Sequence, residues 1–221
     1  MTLGEIFSKA LEIYKANPIM ILPSLIPIAG VVLGLLFFFA GFVGIAALFD
    51  ERFVAFSAVG GIILFVLIVI ILFIVAEGVT IEMVKAAFAG RRVEIATAWD
   101  SSRGRIGPLI WTSILAGVII VLGYMLLIIP GIVLSAIFYF AAQAVMIDGK
   151  SGTEALKASY SFLKANPEDS IIVILASMAI SIILPTIPLI GFLLSLIALP
   201  YIYGLSTLLY MDRRKRAEGM N

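Results

Sequence analysis

The chain of 221 residues contains no cysteine and no histidine, and only 13% of its residues are charged. Zinc, haem and iron–sulfur sites therefore lose their usual ligands, and histidine acid–base chemistry and Cys–His or Ser–His nucleophiles are excluded. Without cysteine there is no disulfide framework. Paired carboxylates, a phosphate-binding loop and metal-ligand spacings do not occur either. We expect a protein that is not an enzyme and carries no cofactor.

Two further sequence features are absent. The chain has a net charge of +1 and no basic patch interleaved with aromatic residues, which is the pattern of a nucleic-acid surface. Its first seventeen residues mix acids and bases with apolar residues and lack the continuous apolar segment of a signal peptide. We expect no nucleic-acid partner and no cleaved signal peptide.

Hydrophobic residues, by contrast, make up 62% of the chain, against about 45–50% in soluble domains. They are concentrated in long blocks, and a helix needs about 20 apolar residues to cross a hydrocarbon core of about 30 Å. Six such blocks predict an all-α integral membrane protein with six transmembrane helices. The blocks are Ile19–Phe42, Gly60–Thr80, Pro108–Ile129, Gly131–Ile147, Ile171–Ile190 and Gly191–Met211.

Two of the breaks between these blocks contain proline and glycine but no charged residue. Pro130 and Gly131 separate the third block from the fourth, and Pro185, Pro188 and Gly191 separate the fifth from the sixth. Proline and glycine stop a helix and permit a reversal of the chain. We therefore expect a tight hairpin turn at each of these two breaks.

The basic residues are distributed asymmetrically between the blocks. If all six blocks cross the membrane, fourteen of the fifteen Lys and Arg residues lie on one side and only Arg52 lies on the other. The positive-inside rule places the basic side in the cytoplasm. We predict a multi-pass protein of the cell (inner or plasma) membrane with both its N- and C-termini in the cytoplasm.

The sequence Lys-Ala-Asn-Pro occurs twice, ending at Pro18 and at Pro167. The first copy is preceded by Thr-x-x-Glu and the second by Ser-x-x-Glu, each the capping box of a helix start. Apolar residues then recur at three- and four-residue spacing, which predicts an amphipathic helix along the membrane surface. Asn17 and Asn166 are the expected N-caps of new helices that turn into the bilayer, with the prolines at their first positions.

A weaker third copy lies between these two. At Ala98–Ile110 a half-apolar segment again runs through basic residues to a proline, and Gly107 and Pro108 replace Asn-Pro as the corner. We interpret the chain as a single membrane domain, 1–221, of three units, each a cytoplasmic amphipathic helix followed by a two-helix hairpin. The units cover about 1–90, 91–148 and 149–211, and a basic cytoplasmic tail follows at 212–221.

The segment Leu126–Pro167 resembles a known family. The residues that carry the resemblance are Pro130-Gly131, an aromatic-containing span, Asp148-Gly149, Ala155-Leu156, Ser159 and Lys164-Ala165-Asn166. The chain is similar to a loose family of six-span prokaryotic membrane proteins that includes the membrane domain of some glycerophosphodiester phosphodiesterases. The resemblance implies a membrane scaffold connected with lipids. It does not imply phosphodiesterase activity, because the catalytic domain is missing from this sequence.

Two polar side chains inside the predicted spans are candidate functional residues. Gln143 either contacts a solute or lipid headgroup or forms an interhelical hydrogen bond, and we favour the hydrogen bond. Glu77 is either a proton or cation site or a side chain that faces water or pairs with a nearby base, and we favour the latter. Gly30 and Gly34 form a G-x-x-x-G step that packs helices within one chain or between two copies.

The basic residues near the C-terminus are candidates for contact with anionic lipid headgroups, at about 1 kcal/mol each near a membrane surface. They are Arg213, Arg214, Lys215 and Arg216. Surface helices and single-sided charge favour a non-catalytic protein that interacts with lipid or organises the membrane. The alternatives are a small transporter or channel subunit with an oligomeric pore, and a membrane anchor. The expected partners are membrane lipids, with a homo-oligomer or an unknown membrane partner left open.

Overall fold

The computed structural model of the chain describes residues 1–46 and 50–219, and every secondary-structure element among them is helical. This part of the chain forms nine α-helices and two short 3-10 helices. The α-helices are α1 (Leu3–Ala16), α2 (Leu22–Ala46), α3 (Glu51–Phe88), α4 (Ile95–Leu126), α5 (Ile128–Ile137), α6 (Ala141–Asp148), α7 (Gly152–Ala165), α8 (Pro167–Ile183) and α9 (Gly191–Ala217). The 3-10 helices are Pro18–Ile21, before α2, and Leu184–Thr186, after α8.

Six segments within the described residues are long and apolar enough to cross a membrane, which confirms the predicted number. α2, α3, α4, α8 and α9 each supply one, and α5 and α6 together supply the fourth. With 38 residues in α3 and 32 in α4, these two helices are about 57 Å and 48 Å long at 1.5 Å per residue. Both therefore extend beyond a hydrocarbon core of about 30 Å.

The two Lys-Ala-Asn-Pro segments adopt the same local structure. α1 and α7 each end at the alanine, and the next helical turn begins at the proline. Asn17 and Asn166 occupy the predicted N-cap positions, but neither side chain makes a hydrogen bond to the helix that follows. The Asn17 amide donates instead to the carbonyl of Ile13 at 2.9 Å, and the Asn166 amide donates to the carbonyl of Phe162 at 3.1 Å. Each asparagine thus satisfies an orphan carbonyl of the helix that ends.

The starts of α1 and α7 differ, although their sequences are alike. Thr2 and Glu5 form the two reciprocal hydrogen bonds of a capping box at the start of α1. Ser151 makes no side-chain cap at the start of α7, so the second predicted capping box is wrong. There the N–H of Gly152 donates to the hydroxyl of Thr112 in α4 at 2.7 Å. A contact between helices has replaced the local one.

The predicted corner at Gly107 and Pro108 is also wrong, because α4 runs through both residues without interruption. Proline inside a helix removes the hydrogen bond to the carbonyl four residues earlier and crowds that carbonyl. Here that residue is Gly104, which has no side chain to add to the crowding. Because α4 packs along both α3 and α6, packing outweighs the local cost of the proline. The expected third surface helix is simply the first part of α4.

The hairpin between α4 and α5 reverses at Leu127, before the predicted proline and glycine. Pro130 lies in the first turn of α5, where an N–H would have no helical partner. Gly131 allows close packing, since a Cβ there would overlap the ring of Tyr124 in α4. The prediction that these two residues form the turn itself is wrong by three or four positions.

The hairpin between α8 and α9 lies where the prolines place it. Pro185 is in the 3-10 helix, Pro188 is in the connection, and Gly191 is the first residue of α9. A Cβ on Gly191 would overlap the carbonyl oxygen of Leu184, so the chain passes too close here for another residue. Leu189, in this connection, has a left-handed φ of 68°.

The fourth span is broken between α5, which ends at Ile137, and α6. The buried side chain of Ser159 in α7 lies at the break. Its hydroxyl donates to the carbonyl of Ile137 at 2.6 Å and accepts from the N–H of Phe140 at 3.1 Å. Non-helical backbone at membrane depth needs such partners, because lipid supplies none. α7 is therefore an integral part of the bundle.

The N-terminus and the last turns of α9 lie together at one end of the bundle, which we call the polar end. The amino group of Met1 pairs with Asp212 of α9 at 3.0 Å. α1 covers this end, and its buried residues Ile6, Ala10 and Ile13 share one apolar cluster with side chains of α3, α6 and α9. The apolar stripe of α1 is thus largely occupied by protein.

The second half of α2 packs against the first half of α3. We call residues 30–46 of α2 and 51–72 of α3 the arm. Most large apolar side chains of the arm whose burial the structure describes are exposed, among them Phe37 at 76% and Phe56 at 81%. Because these side chains are apolar, lipid rather than water is the solvent that suits them.

The G-x-x-x-G step packs the two helices of the arm against each other. A Cβ on Gly30 would overlap the side chain of Leu72, and a Cβ on Gly34 would overlap the ring of Phe65. These glycines therefore serve contacts within the chain, as small residues do in membrane helices.

Candidate functional site

Gln143 of α6 is buried in the bundle, with 1% of its surface exposed. Its amide nitrogen donates to the hydroxyl of Ser206 in α9 at 2.9 Å, which is the interhelical bond favoured from the sequence. Such bonds contribute about 0.6–2 kcal/mol in membranes. The amide oxygen has no hydrogen-bond partner within the described residues. One end of the side chain therefore holds two helices together, and the other is open to a ligand or water.

Glu77 lies half-buried on α3, close to the place where this helix enters the bundle. No hydrogen bond or ion pair joins it to any residue in the part of the chain that the structure describes. Its charge acts on the hydroxyls of Tyr139, between α5 and α6, and Tyr203 of α9. The expected pairing with a nearby base is therefore not present among these residues.

Tyr139 connects the two candidates that the sequence singles out. Its hydroxyl lies near those of Ser177 of α8 and of Ser206, the residue that also accepts from Gln143, but forms no hydrogen bond with either serine. Glu77 acts on the same tyrosine from α3. The structure thus brings together oxygen-bearing side chains from four helices and one connection. We call this group the polar cluster, and its members are Glu77, Tyr139, Gln143, Ser177, Tyr203 and Ser206.

The polar cluster offers mainly oxygen atoms. Besides the carboxylate of Glu77, it contains the unpartnered oxygens of Gln143 and Ser177, both at least 97% buried. Buried polar groups are nearly always hydrogen-bonded, and buried water commonly satisfies those that lack a protein partner. Chemically, the cluster can accept hydrogen bonds or coordinate a hard cation.

A separate group of charges lies at the polar end. Glu82 of α3 is 6% exposed and binds Lys85 at 2.6 Å and Arg105 of α4 at 3.2 Å. Both bases also donate to the carbonyl of Met146 in α6, at 3.0 Å and 2.8 Å. This network joins three helices, and each of its charged groups is paired within it.

The four basic residues predicted to contact lipid headgroups all have partners within the protein. Arg213 is 8% exposed and binds Asp169 of α8 at 2.5 Å. The Nζ of Lys215 lies 4.8 Å from the ring centroid of Phe88. The remaining pairs join Arg214 to Asp148 and Glu218, and Arg213 and Arg216 to Asp212. α9 continues to Ala217, so most of the predicted tail is helix.

Unpaired positive charge at this end is found on α7. Lys157 and Lys164 are exposed and form no ion pair with any described residue. They are seven residues apart, about two helical turns, so both lie on the same face of α7. A negatively charged ligand meets no competing carboxylate bonded to either lysine.

Lys157 stands between two grooves of about 370 Å³ each. One is almost entirely apolar and runs between α5 and α7, and the other is polar and runs between α7 and α9. Besides Lys157, the apolar groove is lined by Leu134, Ile137, Phe138, Thr153, Leu156 and Tyr160. The polar groove is lined by Lys150, Glu154, Ala158, Ser161 and Tyr210. A lysine at a shared rim suits an amphiphile with one charged end.

Comparison with known proteins gives no further assignment. No protein-family model, no curated protein and no solved structure matches the chain. The family resemblance of Leu126–Pro167 therefore stays a prediction.

Several residues of these sites carried no signal in the sequence. Ser177 and Ser206 are single small polar residues in apolar helices, and their partners come from other parts of the chain. In the sequence, Lys157 is only one of the fourteen basic residues on the predicted cytoplasmic side. Ser159 belongs to the segment that carries the family resemblance, but the sequence alone assigns it no task.

Proposed function

We propose that the chain is a non-catalytic membrane protein that binds anionic phospholipid beside α7. The observation that carries this proposal is the position of Lys157 between an apolar and a polar groove, with no ion pair to a carboxylate among the described residues. The apolar groove runs along α5, which belongs to the fourth span, so it is open to an acyl chain. The lysine at its rim attracts the phosphate of the headgroup, at about 1 kcal/mol near a membrane surface.

The same reasoning places the headgroup at α7 rather than at the end of α9. A phosphate near Arg213 or Arg214 competes with Asp169 and Asp148, which already bind these arginines. At Lys157 a phosphate does not have to displace a carboxylate. Lys164, on the same face of α7, adds a second positive charge.

We also infer that the polar end faces the cytoplasm. Support comes from the fourteen basic residues on that side of the spans and from the pairing of Met1 with Asp212. α1–α3 and α7–α9 then enter the membrane from the same face as two parallel repeats. The shared asparagine cap at the end of α1 and α7 supports this relation.

The orientation is tested with single cysteines, because the chain has none of its own. Ser8→Cys places a thiol at the polar end, and Glu51→Cys places one at the tip of the arm. A membrane-impermeant maleimide should label the first only from the cytoplasmic face and the second only from the other face. The reverse pattern would overturn the orientation.

Lipid binding is tested by native mass spectrometry of protein released from nanodiscs that contain equal amounts of phosphatidylglycerol and phosphatidylcholine. The protein should retain phosphatidylglycerol, and Lys157→Gln should reduce this retention several-fold. Lys9→Gln is the matched control, since Lys9 is an exposed lysine already paired with Glu12 at 2.9 Å. Equal retention by the protein and by Lys157→Gln would contradict the proposal.

A second variant tests the acyl-chain groove. Thr153 is an exposed residue at its edge, so Thr153→Trp should fill the groove and reduce the retention of both lipids. Inorganic phosphate should not displace the bound lipid, because it occupies only the headgroup position. Displacement by phosphate alone would show a simple anion site instead of a lipid site.

A further inference from the structure

The polar groove between α7 and α9 contains a carboxylate that attraction of a phosphate to Lys157 does not explain. Glu154 is exposed, lines this groove and forms no ion pair with any residue that the structure describes. It lies three residues before Lys157, so the two side chains are neighbours on one face of α7. The groove therefore offers a hydrogen-bond acceptor and a positive charge side by side, and neither is held by a partner within the described residues.

The opposite wall of the groove carries a second carboxylate nearby, but that one is satisfied. Tyr210 of α9 lines the wall, and its hydroxyl donates to Asp148 at 2.8 Å. Asp148 also binds Arg214 and lies 3.8 Å from the ammonium group of Lys150. A ligand in the groove would have to displace these groups to reach Asp148, whereas it meets Glu154 directly.

The charges that line the polar groove favour a ligand with a single negative charge. Lys150 and Lys157 against Glu154 leave one net positive charge on the lining. A phosphodiester carries one negative charge and has no second proton to lose. A phosphate monoester has a second pKa of about 6 and carries about −1.5 to −2 charges at pH 7. The additional charge of a monoester would lie beside Glu154, and like charges placed together reject a ligand.

Beyond the phosphate, the groove suits a group that donates hydrogen bonds. An ionised carboxylate only accepts them, and the hydroxyl of Ser161 lies seven residues from Glu154, about two turns along the same face of α7. With a volume of about 370 Å³, the groove has space for a headgroup in addition to its phosphate. A hydroxyl on that headgroup can donate to Glu154 while the phosphate stays at Lys157.

We propose that Glu154 determines which headgroup the polar groove accepts. The groove takes a singly charged phosphodiester headgroup with free hydroxyls, as in phosphatidylglycerol, and rejects a phosphate monoester, as in phosphatidic acid. The inference rests on the proposed lipid binding at α7 and adds the class of headgroup. Lys157 attracts the phosphate of either lipid, and Glu154 discriminates between the two. Binding is reversible, with no covalent step.

The test compares four lipids in one nanodisc. Phosphatidylglycerol, phosphatidylmethanol, phosphatidic acid and phosphatidylcholine are present in equal amounts, and native mass spectrometry identifies the lipid that the protein retains. Phosphatidylglycerol and phosphatidylmethanol have the same charge and differ in the hydroxyls of the headgroup. Phosphatidic acid differs from phosphatidylmethanol in its additional charge. The protein should retain phosphatidylglycerol most strongly, then phosphatidylmethanol, then phosphatidic acid.

Two variants of Glu154 separate its charge from its hydrogen bond. Glu154→Gln removes the charge but keeps an acceptor oxygen, so the ratio of phosphatidylglycerol to phosphatidic acid should fall several-fold. Glu154→Ala removes the acceptor as well, so phosphatidylglycerol and phosphatidylmethanol should be retained equally. Glu168→Gln is the matched control, because Glu168 is an exposed glutamate of α8 that does not line the groove. It removes the same charge from the protein and should leave every ratio unchanged.

Failure of the headgroup inference can be told apart from failure of lipid binding itself. If phosphatidylglycerol is retained over phosphatidylcholine but Glu154→Gln leaves its ratio to phosphatidic acid unchanged, lipid binding stands and the role of Glu154 is overturned. The same holds if Glu168→Gln shifts that ratio as much as Glu154→Gln does, since total charge then accounts for the selectivity. If no anionic lipid is retained over phosphatidylcholine, both proposals are overturned.

Discussion

The polar end and the arm belong to one chain but are packed in different ways. Half of the residues in the apolar window of α9 are buried, against 6% in that of α3. At the polar end, buried carboxylates such as Glu82 bind two bases each. In the arm, two glycines bring two helices together, and the other sides of these helices are uncovered.

This difference reflects the solvent that each region meets. Water at the polar end drives apolar side chains into a buried core, while charged side chains stay solvated or form ion pairs. Both the core and the ion pairs therefore stabilise this end. In lipid there is no hydrophobic drive between helices, and close van der Waals packing at small residues takes its place. The polar end should therefore respond to changes of charge, and the arm to changes of volume.

The largest effect is expected when Glu82, at the polar end, is removed. Glu82→Ala leaves Lys85 and Arg105 without their shared carboxylate, and breaking a buried pair costs about 3–5 kcal/mol. Thermal unfolding in nanodiscs measures the loss. Glu12→Ala removes the exposed partner of Lys9 and serves as the control, with an expected change of about 0–1 kcal/mol. Similar losses in both variants would remove the distinction between buried and exposed pairs.

In the arm, the corresponding change is one of volume. Gly34→Ala places a methyl group against the ring of Phe65, and overpacking of this kind costs about 1–3 kcal/mol. Gly41→Ala makes the same substitution in α2 where nothing lies within 4 Å, so it should cost nothing. The difference in thermal stability between the two variants in nanodiscs measures the effect of the contact with Phe65. Equal stability of the two variants would show that α2 and α3 are not closely packed.

The broken fourth span adds a test of backbone hydrogen bonding. Ser159→Ala leaves the N–H of Phe140 and the carbonyl of Ile137 without their partner, which costs about 1–3 kcal/mol. Hydrogen exchange at the Phe140 amide should become faster. Ser161→Ala, an exposed change on the same helix, should leave that exchange rate as it is. Unchanged exchange in Ser159→Ala would mean that the break is held by other contacts.

The smallest effect is expected at the two asparagine corners. Asn17→Asp and Asn166→Asp keep a good N-cap but cannot donate to the carbonyl of the preceding helix. Each should lose about 0.5–1.5 kcal/mol in thermal unfolding, as much as the alanine variant. Aspartate variants as stable as the natural protein would restore the N-cap role that the sequence suggests.

The asparagine corners show which helix ends can be predicted from the sequence. That a helix ends at Asn17 and at Asn166 follows from local rules, because the residue before proline avoids the helical conformation. The same rule fails at Gly107, where α4 packs on α3 and α6 and continues through the proline. Local preference is worth only a few kcal/mol, and a long packed helix outweighs it.

In the candidate site, too, only some of the residues could be predicted from the sequence. Gln143 and Glu77 are visible in the sequence, because polar residues within apolar blocks are rare and costly. Their joint position around Tyr139, and the part of Ser177 and Ser206, are not. These residues lie far apart along the chain, and only the packing of the helices brings them together.

By itself, the sequence determined the number of spans, the uneven distribution of charge and the two asparagine corners. Length, hydrophobicity and proline act locally, and the hydrocarbon core accepts only long apolar helices. The tertiary structure alone decided that Pro108 stays within a helix, that Ser159 completes a broken span and that the basic end of α9 pairs internally. It also decided that Lys157 forms no ion pair with the residues that the structure describes. Each of these depends on which residue comes to lie opposite which, and that is set by helix packing.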